Sequence, residues 1–409
     1  MTFLVSIVGL LFLILIHEAG HFFVALAVGI KPRKFYIGFP PAIVKTVRNG
    51  IEYGIGAIPL GGYVRIPGMH RPAAKDVQVN FAPALREAPE LQEPLAAAER
   101  PLDRGDLAAA RAALPQLQEA FERAYLSRVA RKSGERGLRD LEESLGSDAY
   151  WRQPTWKRIT VIFAGPGVNI LFAIGLLALV YILGVPNTNT RAVDAVSGNT
   201  PAAHIGLEPG DVIVAVNGQK TATFQQIRNR IQASKGKPVT VTVERHGRLV
   251  TLGSARTMRA SDGRWVLGFT PGIRYKSYGV LTSFRFALDD CWQATKGMGL
   301  AIEGLFHHKG RDQLTSTVGI VKVSSNALKV SFRLYLQILG LISLSLALLN
   351  LLPLLPLDGG HILFSAIEGI RRRAVAREVY ERASVVGFAL ILLIAFIALS
   401  NDLSGRGPG

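Results

Sequence analysis

Four stretches of the chain hold enough consecutive apolar residues to cross a lipid bilayer. They run from Phe3 to about Ile30, from Ile159 to Leu183, from Leu334 to Leu352 and, shorter than the rest, from about Ser384 to Leu399. A hydrocarbon core of about 30 Å takes about 20 helical residues, so each stretch predicts a transmembrane helix. The segments between them follow other patterns. Residues 85–150 place Leu107, Leu114, Leu117 and Phe121 at near-helical spacing. That predicts two or three short helices, broken at Pro101 and Pro115 and serving as a solvated spacer. Residues 190–275 carry short β-branched runs, Val212–Val214 and Val239–Val243, separated by Pro209-Gly210-Asp211 and Asn217-Gly218. With a helix-period segment from Phe224 to Ile231, they predict a small α+β domain. From Val280 to Phe306 the pattern is that of an amphipathic helix, on a membrane surface or against that domain.

The expected fold class is therefore a multi-pass α-helical membrane protein of about four transmembrane helices with an inserted small α+β domain. Its expected organisation is 1–70 (first helix and a following loop), 71–155 (helical insert), 156–186 (second helix), 187–276 (α+β domain), 277–333 (amphipathic linker) and 334–409 (third and fourth helices).

Composition agrees with this. The 409 residues are 49% hydrophobic yet carry a net charge of +17, as expected when loops hold the Lys and Arg that the spans exclude. The positive residues are spread along the chain without an aromatic-interleaved stripe, which argues against a nucleic-acid partner. Lys31, Arg33 and Lys34 follow the first span, Arg152, Lys157 and Arg158 precede the second, and Arg371–Arg373 precede the fourth. That bias predicts loops 31–158 and 353–383 inside the cell, with both termini and the α+β domain outside. The first span has no basic residues before it and no small-residue cleavage site after it, so it is expected to be retained. Cys291 is the single cysteine, which excludes an internal disulfide and a cysteine zinc site.

The chemistry concentrates in His17-Glu18-Ala19-Gly20-His21, inside the first span. Helical positions i and i+4 share a face, so both imidazoles can reach one metal ion, and Glu18 stands ready to take a proton from water beside it. Ionisable groups at mid-bilayer cost about 2.5–3.5 kcal/mol each on insertion scales. Three within five residues call for a compensating partner, and Zn²⁺ suits two imidazoles. A catalytic zinc takes three protein ligands. His70, His204, His246 and the His307-His308 pair lie in loops or in the α+β domain. Asp358 follows the third span in Asn350-Leu-Leu-Pro-Leu-Leu-Pro-Leu-Asp358-Gly359-Gly360, where Pro353 and Pro356 prevent a regular helix. On its residues alone, Asp358 is either that third ligand or an ordinary turn aspartate.

Taken together, these motifs resemble the site-2 protease family of intramembrane zinc proteases, most closely the branch of the bacterial regulator of sigma-E protease. The likeness rests on HEAGH in the first span, Gly165-Pro166 with Asn169 in the second, and Asn350…Leu357-Asp358-Gly359 after the third. Ile58-Pro-Leu-Gly61-Gly62-Tyr-Val64 is similar to the family's membrane-associated β-hairpin, and Thr315 to Ser325 to a segment before its third span. Gly206-Leu-Glu-Pro-Gly-Asp211-Val-Ile213 with Val216-Asn-Gly218 resembles a bacterial PDZ domain. The resemblance implies one Zn²⁺ held by His17, His21 and Asp358, with Glu18 as general base. It implies that Asn350 and the Gly61-Gly62 loop contact the substrate backbone. It also implies location in the bacterial inner membrane and single-pass membrane-protein substrates already trimmed by another protease, such as anti-sigma factors or remnant signal peptides. One PDZ-like domain stands here where the best-known bacterial members carry two, and the insert 85–150 has no recognised counterpart. A membrane adaptor that recruits partners through the PDZ-like domain would not need Glu18, and a metal transporter would need further ligands in the second or fourth span.

Overall fold

The computed structural model describes residues 1–304, 316–375 and 377–404. Thr315 and the His307-His308 pair lie outside the described residues. Contacts divide the chain into two units, one of residues 178–286 and one of everything before and after them.

The larger unit opens with α1 (Thr2–Ala27). Two long strands follow, β1 (Lys34–Arg48) and β2 (Ile51–Arg65). The turn between them is Asn49-Gly50, with φ of 52° and 73°, the left-handed pair that matches strand twist. Phe22 of α1 is 4% exposed and packs its ring 4.9 Å from Phe35 and 5.9 Å from Tyr53. This aromatic contact seats the hairpin on the helix that carries the HEAGH motif.

The insert comprises α2 (Ala74–Glu87), α3 (Gln92–Asp103), α4 (Leu107–Arg123) and α5 (Arg128–Leu145). Asp106 and Ser127 cap α4 and α5 by accepting hydrogen bonds from the amides of Ala109 and Ala130. Two expectations need correcting here. Pro101 and Pro115 lie inside α3 and α4 rather than between helices. A helical proline forfeits one hydrogen bond, and the burial of Leu117 and Phe121 beyond Pro115 outweighs that local loss. The chain turns instead at Gly105, where φ is 75°. Nor is the insert a solvated spacer, because Phe81, Leu91, Leu117, Phe121 and Leu145 form a core of its own.

After α6 (Thr155–Leu183) comes the smaller unit. Its elements are β3 (Val185–Val196), α7 (Pro201–His204), β4 (Val212–Val216), β5 (Gln219–Lys220), α8 (Phe224–Ala233), β6 (Pro238–Arg245), β7 (Arg248–Arg256), β8 (Met258–Arg259), β9 (Trp265–Val266) and β10 (Phe269–Lys276). The main sheet runs β10-β3-β4-β6-β7, with β5 paired to β4. Alternation puts Val239, Val241 and Val243 on one face, fully buried with Ile213 and Ile227 of α8. Burial pushes the Asp211 carboxyl up, but two 2.7 Å bonds from Arg245 and the Glu208 amide outweigh it and hold the group below its ordinary range. The result is the expected small α+β domain.

The larger unit resumes through α9 (Val280–Gly304), then α10 (Thr317–Val330), α11 (Phe332–Asn350), α12 (Asp358–Arg371) and α13 (Arg377–Leu403). Asp402 of α13 caps α10, accepting from the amides of Ser316 at 2.8 Å and Gly319 at 3.2 Å. Helices α1, α6, α11 and α13 are long and apolar enough to cross a membrane, and at most 39% of each apolar window is buried within the protein. The fourth is longer than its sequence predicted, and α12 was not expected at all.

Candidate metal centre

Helical spacing puts His17 and His21 on one face of α1, with ring centroids 4.9 Å apart and each residue 7% exposed. His21 Nδ1 donates to the Val161 carbonyl of α6 at 2.8 Å. That bond fixes the tautomer, leaving Nε2 with a lone pair and no proton. The other ring nitrogen of His17, Nδ1, is buried without a hydrogen-bond partner.

The carboxylate arrives from the far end of the sequence. Chain irregularity between Leu351 and Leu357 ends where Asp358 begins α12, a helix N-terminus that favours negative charge. The two glycines after it serve packing. A Cβ on Gly359 would stand 2.2 Å from the Leu351 carbonyl oxygen, and one on Gly360 2.5 Å from the Leu355 nitrogen. Only glycine lets α12 start pressed against the preceding irregular backbone. A buried ion pair holds the helix further along. Arg158 of α6 meets Glu368 at 2.7 Å and Ser365 Oγ at 3.1 Å, and Glu368 also accepts from the Val375 amide at 2.9 Å.

These supports bring three donor atoms together. Asp358 Oδ2 lies 3.1 Å from His17 Nε2 and 3.4 Å from His21 Nε2, and the two Nε2 atoms are 3.3 Å apart. Asp358 Oδ2 is buried and receives no hydrogen bond. Lone pairs converging at this range repel unless a cation sits among them. Ligands at about 2.0–2.2 Å in a tetrahedral zinc shell are spaced about 3.3–3.6 Å apart, so the donor set fits that ion. Gly165 of α6 keeps the space open, since a Cβ there would lie 2.3 Å from His21 Nε2.

A cavity of about 290 Å³ adjoins the three donors and is lined also by Glu18 and Asn350. Glu18 meets the hairpin at Gly62, where a Cβ would stand 2.5 Å from its Cγ, and Gly61 adjoins Ile14 of α1. The structure thus gathers His17, Glu18, His21, Asn350 and Asp358 around one space, while Gly62 meets it only through Glu18 and Gly61 packs on Ile14 and Phe39. His361 lines the space too. The sequence reading did not single this residue out, although its three-residue spacing from Asp358 on α12 is a signal. At the far side of the hairpin, hydrogen bonds from Lys34 and Tyr36 hold the Glu52 carboxyl down at about 2.

Comparisons with known proteins bear on the whole chain. A "Putative zinc metalloprotease" of Brucella suis is 29% identical over 404 residues, covering 95% of this chain and 92% of its own. Metalloprotease MmpA of Caulobacter vibrioides is 28% identical over 433 residues, covering 98% and 96%. Among solved structures, the PDZ domain of an SdrC-like protein from Listeria monocytogenes matches 21% of this chain and 90% of its own at 20% identity, with a TM-score of 0.19. The sequence pattern of peptidase family M50 matches residues 5–394. A match of that extent, with the donor set of its metal centre assembled, means that the chain belongs to peptidase family M50.

Proposed function

We propose that this chain is a zinc metalloprotease that hydrolyses peptide bonds within or next to transmembrane segments of other proteins. The observation that carries the reading is the convergence of His17, His21 and Asp358 beside Glu18 at one end of a cavity, on helices whose outer surfaces are apolar. His17, His21 and Asp358 hold the zinc, which when bound supplies Lewis acidity to the scissile carbonyl and to water. Glu18 takes the proton from the attacking water and returns it to the leaving amine. Asn350, with an amide donor and acceptor, orients the substrate backbone. A transmembrane helix ties up its amides in internal bonds, so the substrate unwinds locally and lies as a strand beside Gly61 and Gly62.

The charge bias of the loops supports an orientation with the insert in the cytoplasm and the PDZ-like domain outside a bacterial plasma membrane. There the PDZ-like domain screens single-pass substrates already trimmed by another protease. Deleting residues 190–275 should widen the range of substrates cut; an unchanged range removes the screening role. The central test is Glu18→Gln in purified protein with a model transmembrane peptide. Cleavage should vanish while zinc stays bound, and a chelator should stop the wild type. Cleavage that survives the substitution refutes the assignment.

A further inference from the structure

The cavity beside Glu18 shares a wall with another. Val64, Ile66 and Met69 line it, and the same three residues line a cavity of about 410 Å³ on the side of the insert. Asn80 of α2 and Asp140 and Ser144 of α5 close the second cavity. Its floor is pinned, because the Tyr150 amide donates to the Pro67 carbonyl at 2.9 Å and the Trp151 amide to the Gly68 carbonyl at 3.0 Å. Its lining is polar and of mixed charge: Arg65 lies 2.7 Å from Asp140 and 3.1 Å from Glu143, and His70, Arg71 and Asp76 line it as well. Strand β2 leads from one cavity to the other, with Gly62 against Glu18 and Tyr63, Val64 and Arg65 at the insert. Those four residues span about 10 Å. Among the described residues, Gly62–Arg65 pair within the sheet only with Lys34–Ile37, and the Val64 backbone also meets the Glu18 carboxylate, so this stretch of β2 runs from the candidate metal centre to the insert.

We infer that the second cavity is a substrate subsite, receiving the polar, extended stretch of polypeptide that continues from the cleaved bond past the membrane edge. The inference rests on the protease reading and gives the insert a role in it, as a wall that touches substrate. Hydrogen-bonding groups of both kinds, the ion-paired Arg65, Asp140 and Glu143 beside neutral Asn80, Ser144 and Tyr63, suit backbone amides and polar side chains. Contacts far from the reacting bond accelerate its cleavage when their binding energy serves to orient it.

The test uses full-length zinc-loaded protein and two versions of one model transmembrane peptide. One carries a flank of about ten Ser, Asn and Gly residues at its insert-side end, enough to run past the strand, and the other is cut back to the membrane edge. Wild type should cleave the flanked peptide with a kcat/KM about tenfold higher. Asn80→Trp and Ser144→Trp, which fill the cavity, should erase that advantage and leave the trimmed peptide's kcat/KM unchanged. Equal kcat/KM for the two peptides in wild type overturns the subsite, as do variants that slow both peptides alike. Glu18→Gln separates the two readings, because cleavage of the trimmed peptide by that variant defeats the protease mechanism itself.

Discussion

The insert and the apolar helices of the same unit both bury apolar side chains, but among the described residues only the apolar helices also bury a set of polar ones. In the insert Phe81, Leu91 and Leu117 are sealed inside, and Glu119 and Arg123 point outward. In α1, α6 and α11 the buried positions include Ser6, His17, His21, Asn169 and Ser343, and Phe3, Leu4, Phe23 and Leu171 point outward. Water drives the first arrangement, since removing apolar surface from it is favourable. The second makes sense where the surroundings are as apolar as leucine. There helices associate through close packing and polar contacts, such as Ser343 Oγ donating to the Asn169 carbonyl at 2.9 Å. The metal centre occupies the polar interior that such an arrangement makes available.

The largest expected effect is chemical: Glu18→Gln should abolish measurable cleavage, a fall in kcat of at least about 10²–10⁴-fold, while an equivalent change at Glu119 on the insert surface leaves turnover untouched in the same peptide assay. Next comes Gly165→Ala, whose methyl would press on His21 Nε2. It should lower activity about a hundredfold and release zinc, measurable by metal analysis, with the insert still folded by proteolysis. Phe121→Ala should destabilise the insert by about 3–5 kcal/mol, read as local unfolding by hydrogen exchange. Two surface lysines then test the surroundings directly. Leu171→Lys, at a position 70% exposed on α6, should cost about 2.5–3.5 kcal/mol or block membrane insertion. Val129→Lys, at a position 74% exposed on the insert, should stay within about 0.5 kcal/mol. Equal tolerance at the two sites would remove lipid from the account of α6.

The smallest effect is a pH dependence in the hairpin. Glu52, held at about 2 by Lys34 and Tyr36, binds its proton less readily folded than unfolded. Its stabilisation is therefore complete above the ordinary glutamate value of about 4.3 and fades as pH falls toward 2. Hydrogen exchange in β1 and β2 should rise over that window, and Glu52→Gln should flatten the change.

Much of this molecule is local and therefore legible from its residues. The apolar runs predict four spanning helices because bilayer thickness sets their length. HEAGH predicts a two-histidine grip because helical spacing alone puts both rings on one face, and Asn217-Gly218 predicts its turn because few residues tolerate positive φ. Other features depend on what packs against what. Pro115 looked like a break, and only the buried Leu117 and Phe121 keep α4 continuous around it. Asp358 read equally as a turn residue or a ligand, because nothing within its own segment says which atoms it meets 341 positions from His17. Its place follows from Gly359 and Gly360 fitting against irregular backbone and from Arg158 gripping Glu368. Gly165 holds the space beside it. Residue order alone marks which helices are long and apolar enough to cross a membrane and where the candidate ligand types stand. Only tertiary packing decided that the carboxylate meets the imidazoles and that the insert walls a second cavity, because both depend on surfaces distant in the chain fitting within a few tenths of an ångström.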